Sequence, residues 1–274
     1  MARVYQIDGR RKRRINFDLS LTVKLIIINV VLYFVSLIVL GIYGADFLVN
    51  NFALTPSLIL SGKTIWTFLT SMFMHGSFFH IFANMFSLFF VGTFLEKIIG
   101  RKRFFGVYFV AGLVGGLFYV ISTLIFGGVD VPAVGASGAI FGLLGVLAVL
   151  VPKSKIYLIV GPLILIIVEV LAVAFLPATW VPLVSTIVNV LILVMIFSLF
   201  SFRGSLRKFA VPVELPMWLL PIIAIIPLAI IGLFVDLPIG NSAHLGGLIV
   251  GLAFGFYLRR KFPRKIEKLS RHFR

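Results

Sequence analysis

Ser137 stands in Gly135-Ala136-Ser137-Gly138, at the start of an apolar run that ends near Val151. His80 and Asn84 lie four apart in His75-Gly76-Ser77-Phe78-Phe79-His80-Ile81-Phe82-Ala83-Asn84, and His244 lies in Asn241-Ser242-Ala243-His244-Leu245-Gly246-Gly247. A serine hydroxyl is a poor nucleophile until a base within about 3 Å takes its proton, and histidine is the commonest such base. Together these side chains are suited to acyl transfer. That reaction also needs donors for the developing oxyanion, each worth about 3 kcal/mol of transition-state stabilisation. His80 and Asn84 share one helical face and supply side-chain donors, while the Ser137 N–H at a helix N-terminus supplies another. Taken singly, each cluster also has a plainer account. Gly-x-Ser-Gly fits a serine packed between membrane helices, and His80 with Asn84 fits an interhelical hydrogen bond. His75, nearer the surface, reads as structural rather than chemical.

The elements that must position these residues are membrane helices. Hydrophobic residues make up 61% of the chain and charged ones only 12%, against about 25% charged in a soluble domain; mean hydropathy is +1.15. The fold class expected is all-α, a polytopic helical membrane protein. Hydropathy predicts eight spans: 21–43, 75–97, 104–125, 135–151, 156–176, 181–202, 217–235 and 241–258. The first is of spanning length with no small-residue cleavage site, so it reads as a span and not as a signal peptide. Cysteine is absent, which excludes disulfides and thiolate metal sites. No His-Glu-x-x-His occurs, which disfavours a zinc protease. The net charge is +16, and every basic residue except Lys63 falls in a cytoplasmic segment or at the cytoplasmic end of a span, clustered in Arg10 to Arg14, Arg101 to Arg103, Lys153 and Lys155, Arg203 to Lys208, and Arg259 to Arg274, whereas Asp46, Asp130 and Asp236 fall at the opposite span ends. By the positive-inside rule both termini are cytoplasmic in a cell membrane. The basic tails then read as topology signals beside anionic lipid and not as a nucleic-acid surface. The expected organisation is a basic lead (1–20), a membrane domain (21–258) and a basic tail (259–274).

A helix over 135–151 would be about 25 Å long, short of the roughly 30 Å hydrocarbon core. Lys153 and Lys155 mark its cytoplasmic end, so Ser137 is expected below the outer surface, on a helix that starts inside the bilayer. The preceding loop, 127–134, must dip in with it, which is tolerated only against protein or a wet cavity. Gly138 and Gly142 form one small-residue face, and Gly247, Gly251 and Gly255 form another, with His244 one turn above Gly247. Packed through these faces, the two helices bring Ser137 and His244 to similar depth. Phe141, one turn below Ser137, is placed to pack on the imidazole. No acidic residue is placed to complete a triad, so the arrangement is a dyad. Gly112, Gly115 and Gly116 on the third span are explained by close helix packing. The outer loop from Gly44 to Met74 should lie in the interface with Trp66 at headgroup level, serving either packing or substrate entry. Glu169, near mid-membrane, reads as a proton or ion site or as a protonated carboxyl bonded to a neighbour. Asn189 lies in the next span. Pro162 predicts a kink in the fifth span, and Pro221 and Pro227 a bend in the seventh.

Together these motifs resemble the rhomboid family of intramembrane serine proteases. The resemblance covers about residues 64–151 and 212–258. It implies Ser137 as nucleophile and His244 as general base, with His80, Asn84 and the Ser137 amide as the oxyanion site. It also implies Gly247 as the contact that lets the catalytic helices meet, with Gly135, Phe141 and His75 in support. It implies transmembrane protein substrates in the lipid bilayer, no metal and no cofactor. Two departures stand out. Many members carry Trp-Arg in the first outer loop, where this chain has Trp66-Thr67. The common core has one span between the serine and histidine helices, where three are predicted here, giving a six-helix core with two extra spans at 156–202. Two rivals remain: a proton-coupled transporter using Glu169 and the histidines, which would want internal repeats, and a non-catalytic rhomboid-like binder of transmembrane segments.

Overall fold

Apolar runs of spanning length satisfy their own backbone in lipid by closing into helices, and the structure, a computed structural model, is built of them. It describes residues 19–198, 212–231 and 240–272. The basic clusters Arg10 to Arg14 and Arg203 to Lys208, and Asp236 and Arg274, lie outside the described residues. Among the described residues, five helices are long and apolar enough to cross a membrane: Leu21–Tyr43, Phe78–Ile99, Arg101–Phe126, Val181–Ser198 and Asn241–Lys261. Three further apolar helices are shorter, Ser137–Leu150, Val160–Phe175 and Leu220–Ile231. Each expected span therefore carries a helix, and the chain is a multi-pass helical membrane protein.

The Ser137–Leu150 helix is the centre of the bundle. Twelve of its fourteen residues are buried, as expected of a helix apolar on all sides. Leu143, Val146, Leu147 and Leu150 anchor the core with Phe104 and Tyr108 of the third span and Leu88 and Leu95 of the second. The 14-residue helix is about 21 Å long, shorter than the run suggests, because residues 135 and 136 belong to the entering turn.

Two boundaries differ from the sequence expectation. The second span becomes helical at Phe78 and not at His75, because the Ser77 hydroxyl caps it by accepting from the His80 N–H at 3.1 Å. Leu88–Gly92 in that span is a π turn. In the fifth segment, Lys155–Ile159 is a strand, paired antiparallel with Pro212–Pro216 in a register that sets Lys155 opposite Pro216 and Ile159 opposite Pro212. An ion pair between Lys155 and Glu214 and a bond from the Met217 N–H to the Ser154 carbonyl, 2.9 Å, extend this ribbon. Short apolar runs such as Ile156 to Ile159 fit strand and helix alike by periodicity. Pro162 consequently falls in the first turn of Val160–Phe175, where its missing N–H breaks no intrahelical bond. The helices Val160–Phe175 and Val181–Ser198 pack on one another, and Val188, Ile192 and Ile196 rest against Phe82 and Phe86 of the second span.

The outer loop folds into short helices, Ala45–Phe52, Pro56–Leu60 and Thr67–Thr70. It is stitched to the segment before the serine by a two-residue bridge between Leu54 and Ala133 and by the Ser57 N–H to the Val129 carbonyl, 2.8 Å. Trp66 donates to the Asn51 carbonyl at 2.9 Å. Thr67, the residue after Trp66, is buried with its hydroxyl on the Thr64 carbonyl.

Candidate active site

Ser137 is the first residue of its helix, directly after the Ala136 cap. The turn before it needs Gly135, whose φ of +121° disfavours any side chain. The Gly135 N–H is held by the Ser71 carbonyl at 2.8 Å, so the outer loop fixes the entry to the serine helix. His244 sits in the first turn of Asn241–Lys261. Beside it, the Ser242 hydroxyl accepts from Ser122 of the third span at 2.7 Å.

What brings the two helices together is backbone-to-backbone contact. A Cβ at Gly247 would overlap the Gly138 carbonyl oxygen, and one at Gly251 would overlap that of Gly142. At both positions only hydrogen fits. The third span closes the junction, since a Cβ at Gly115 would come 2.7 Å from the Ala243 carbonyl oxygen. In consequence His244 Nε2 lies 2.8 Å from Ser137 Oγ, although 107 positions separate them. Phe141 stacks on the His244 ring, with centroids 4.4 Å apart and planes at 16°. His244 Nδ1 is buried and has no hydrogen-bond partner among the described residues.

His80 and Asn84 face this pair across Gly135. A Cβ there would fall 2.6 Å from His80 Nε2 and 3.5 Å from Asn84 Nδ2. Those two nitrogens therefore converge on the turn that presents Ser137. Asn84 Nδ2 is buried with no protein partner among the described residues, leaving its donors available to a group arriving beside Ser137. His75 precedes the helix, buried, its ring 5.1 Å from that of His80 and edge-on at 70°. Glu169 and Asn189 lie half-buried on the two helices between the serine and histidine elements.

Three contributors had no signal of their own in the sequence. The Ser71 carbonyl acts through its backbone, which any residue type provides. The Leu54–Ala133 bridge joins two loops with no shared pattern. Gly115 belonged to a visible glycine cluster, but which of Gly112, Gly115 and Gly116 meets the histidine helix depends on helix rotation.

The Rhomboid domain model matches residues 62–191 and 184–261, well over half of the chain. RHOMBOID-like protein 5 of Arabidopsis thaliana is 40% identical over 130 residues, covering 46% of this chain and 41% of that protein. Rhomboid protease GluP of Bacillus subtilis is 34% identical over 128 residues, covering 47% and 24%. Inactive RHOMBOID-like protein 8 of Arabidopsis thaliana is 36% identical over 90 residues, covering 33% and 24%. The chain thus spans between about a quarter and two fifths of the length of these relatives.

Proposed function

Because the chain belongs to the rhomboid family, we propose that it is an intramembrane serine protease that hydrolyses peptide bonds in or near transmembrane segments of other membrane proteins. The observation that carries this reading is the 2.8 Å separation of Ser137 Oγ and His244 Nε2. The family includes a relative named as inactive, so the dyad and not membership alone supports catalysis.

With its proton on Nδ1, the His244 imidazole offers a bare Nε2 to the Ser137 hydroxyl. As Oγ attacks the scissile carbonyl carbon, Nε2 takes the hydroxyl proton and the carbonyl oxygen becomes an oxyanion. Asn84 Nδ2, the His80 ring N–H and the Ser137 N–H are the donors for that charge. Collapse of the intermediate breaks the C–N bond, and the leaving amine takes the proton from Nε2. A water then yields a proton to Nε2 as its oxygen attacks the acyl-enzyme carbonyl, and collapse of that second intermediate breaks the ester C–O bond as Nε2 returns the proton to Ser137 Oγ, releasing the carboxyl product and free Ser137. Phe141 keeps the ring in the plane that aims Nε2, the orienting task an aspartate performs in a triad.

The rest of the reading follows the same proposal. Residues 1–20 and 259–274 are basic cytoplasmic segments flanking a membrane domain over 21–258, with an insertion at 156–202, in a cell membrane. Substrates are transmembrane proteins, and nucleic acid is not a partner. The test is labelling with a fluorophosphonate probe in detergent. Labelling of the unmodified protein and none of Ser137→Ala is expected; no labelling of either would favour a non-catalytic binder of transmembrane segments.

A further inference from the structure

The glycine contacts set how near the serine and histidine helices come, but they leave one motion open. A glycine face has no side chain to resist rotation of a helix about its own axis. Phe141 stacks on the His244 ring, which fixes the plane of the ring and not its position within that plane. His244 also lies in the first turn of Asn241–Lys261, where Gly240 at the cap makes no side-chain bond, and uncapped helix ends fray. An imidazole nitrogen about 6 Å from the helix axis moves about 1 Å for a rotation of roughly 10°. A shift of that size costs on the order of a hundredfold in rate.

The third span carries a restraint on this motion. Gly115, Phe118 and Ser122 lie on one face of Arg101–Phe126, and each meets the start of the histidine helix. The contact of Gly115 with the Ala243 carbonyl is steric, as is that of Phe118, whose Cγ would lie 2.7 Å from a Cβ at Gly246. Ser122 adds a directional bond, its hydroxyl donating to Ser242 Oγ at 2.7 Å across 120 positions. The same hydroxyl lies 2.8 Å from the Tyr119 carbonyl one turn back, so it is held between two acceptors. Tyr119 in turn donates from its side chain to the Val131 carbonyl at 3.1 Å, in the loop that leads to Ser137. One turn of the third span thus holds both the approach to the serine and the start of the histidine helix.

We infer that Ser122 is a positioning residue: through Ser242 it fixes the rotation of the histidine helix, and with it the reach of His244 Nε2 to Ser137 Oγ. The inference rests on the protease reading. Ser122 takes no part in proton transfer and acts through Ser242, two residues before His244.

The test is steady-state cleavage of a model transmembrane substrate by the purified full chain, with thermal unfolding measured alongside. Ser122→Ala and Ser242→Ala are each expected to lower kcat on the order of tenfold, with KM and Tm nearly unchanged. The double variant should be no slower than either single, and Ser122→Thr, which keeps the hydroxyl, should restore most of the rate. Thr123→Val is the control and should cleave at the native rate, because the Thr123 hydroxyl bonds to the Val120 carbonyl of its own helix at 2.8 Å. Near-native kcat in Ser122→Ala, additive losses in the double variant, or a fall in Tm that tracks kcat overturns the inference. Fluorophosphonate labelling of the unmodified protein separates the two readings. Labelling together with a native-like Ser122→Ala overturns this inference alone, whereas an unmodified protein that neither labels nor cleaves overturns both. The chain has no cysteine, so Ser122→Cys/Ser242→Cys covers the case of an alanine variant that folds poorly. Oxidation should join the two positions, read by mass, and raise kcat above that of the reduced form. Failure to cross-link, or equal rates in the two forms, overturns the proposal.

Discussion

At the scale of single residues, the cluster around Ser137 is defined by what does not fit as much as by what touches. Ser137 and His244 act as one unit in the proposed mechanism, so Ser137→Ala, His244→Ala and the double variant should each lose at least about a thousandfold in cleavage of a model transmembrane substrate. The thermal transition should barely move. Losses that add in the double variant would mean the two side chains work independently, against the dyad. Gly135 tests the opposing wall. Its φ of +121° strains any L residue by about 1–3 kcal/mol, and a Cβ would press on His80 Nε2 at 2.6 Å. Gly135→Ala should therefore lower both the thermal midpoint and the rate, the rate by on the order of a hundredfold because a displacement of about an ångström is enough. Activity and thermal unfolding measured together check this; a near-native rate would show that His80 can yield without consequence.

At the scale of elements, the serine and histidine helices meet through carbonyl groups seated on glycines. Gly247 and Gly251 face backbone oxygens that a Cβ would overlap outright, whereas a Cβ at Gly255 would meet Val149 Cβ at 2.8 Å, a milder conflict. Gly247→Val should abolish activity and stability together, because a packed interface is forced open. Gly255→Val should retain more of both, since it tilts the helix two turns below Gly247, far from the proposed chemistry. Assaying the pair side by side in one detergent decides the matter, and equal near-native activity would end the packing argument. The start of the first span depends on a different device. Removing the buried Glu96 carboxylate leaves two backbone N–H groups and the Thr22 hydroxyl unpaired, so Glu96→Ala should cost about 2–3 kcal/mol. Glu96→Gln, with one acceptor oxygen kept, should cost less; a thermal series on the two variants checks the order.

At the scale of the whole molecule, topology carries the functional reading, because Ser137 and His244 must enter the membrane from one side. Reporter fusions after Lys155, Trp180, Arg207 and Ile239 should read inside, outside, inside and outside. An inside signal at Trp180 would show that Val160–Phe175 and Val181–Ser198 do not both cross. The ribbon between Lys155–Ile159 and Pro212–Pro216 brings the two ends of this inserted pair together. The pair can therefore leave and return at one point while the serine and histidine helices keep their contact.

The sequence by itself determined the class of the molecule, its helical spans and the polar residues able to act inside them. Span length and the rarity of polar side chains are local properties, and lipid allows few alternatives to a helix for an apolar run. Glycine repeats four apart marked the two helix faces, because close approach admits only small residues. Tertiary structure alone decided which glycine meets which carbonyl, and with it the 2.8 Å between Ser137 and His244. It alone decided that Ile156 to Ile159 is a strand, since that choice depends on a partner more than fifty positions away. It decided too that the Ser71 carbonyl holds Gly135. A backbone carbonyl is the same in every residue type, so its use at a distant turn leaves no trace in the chain.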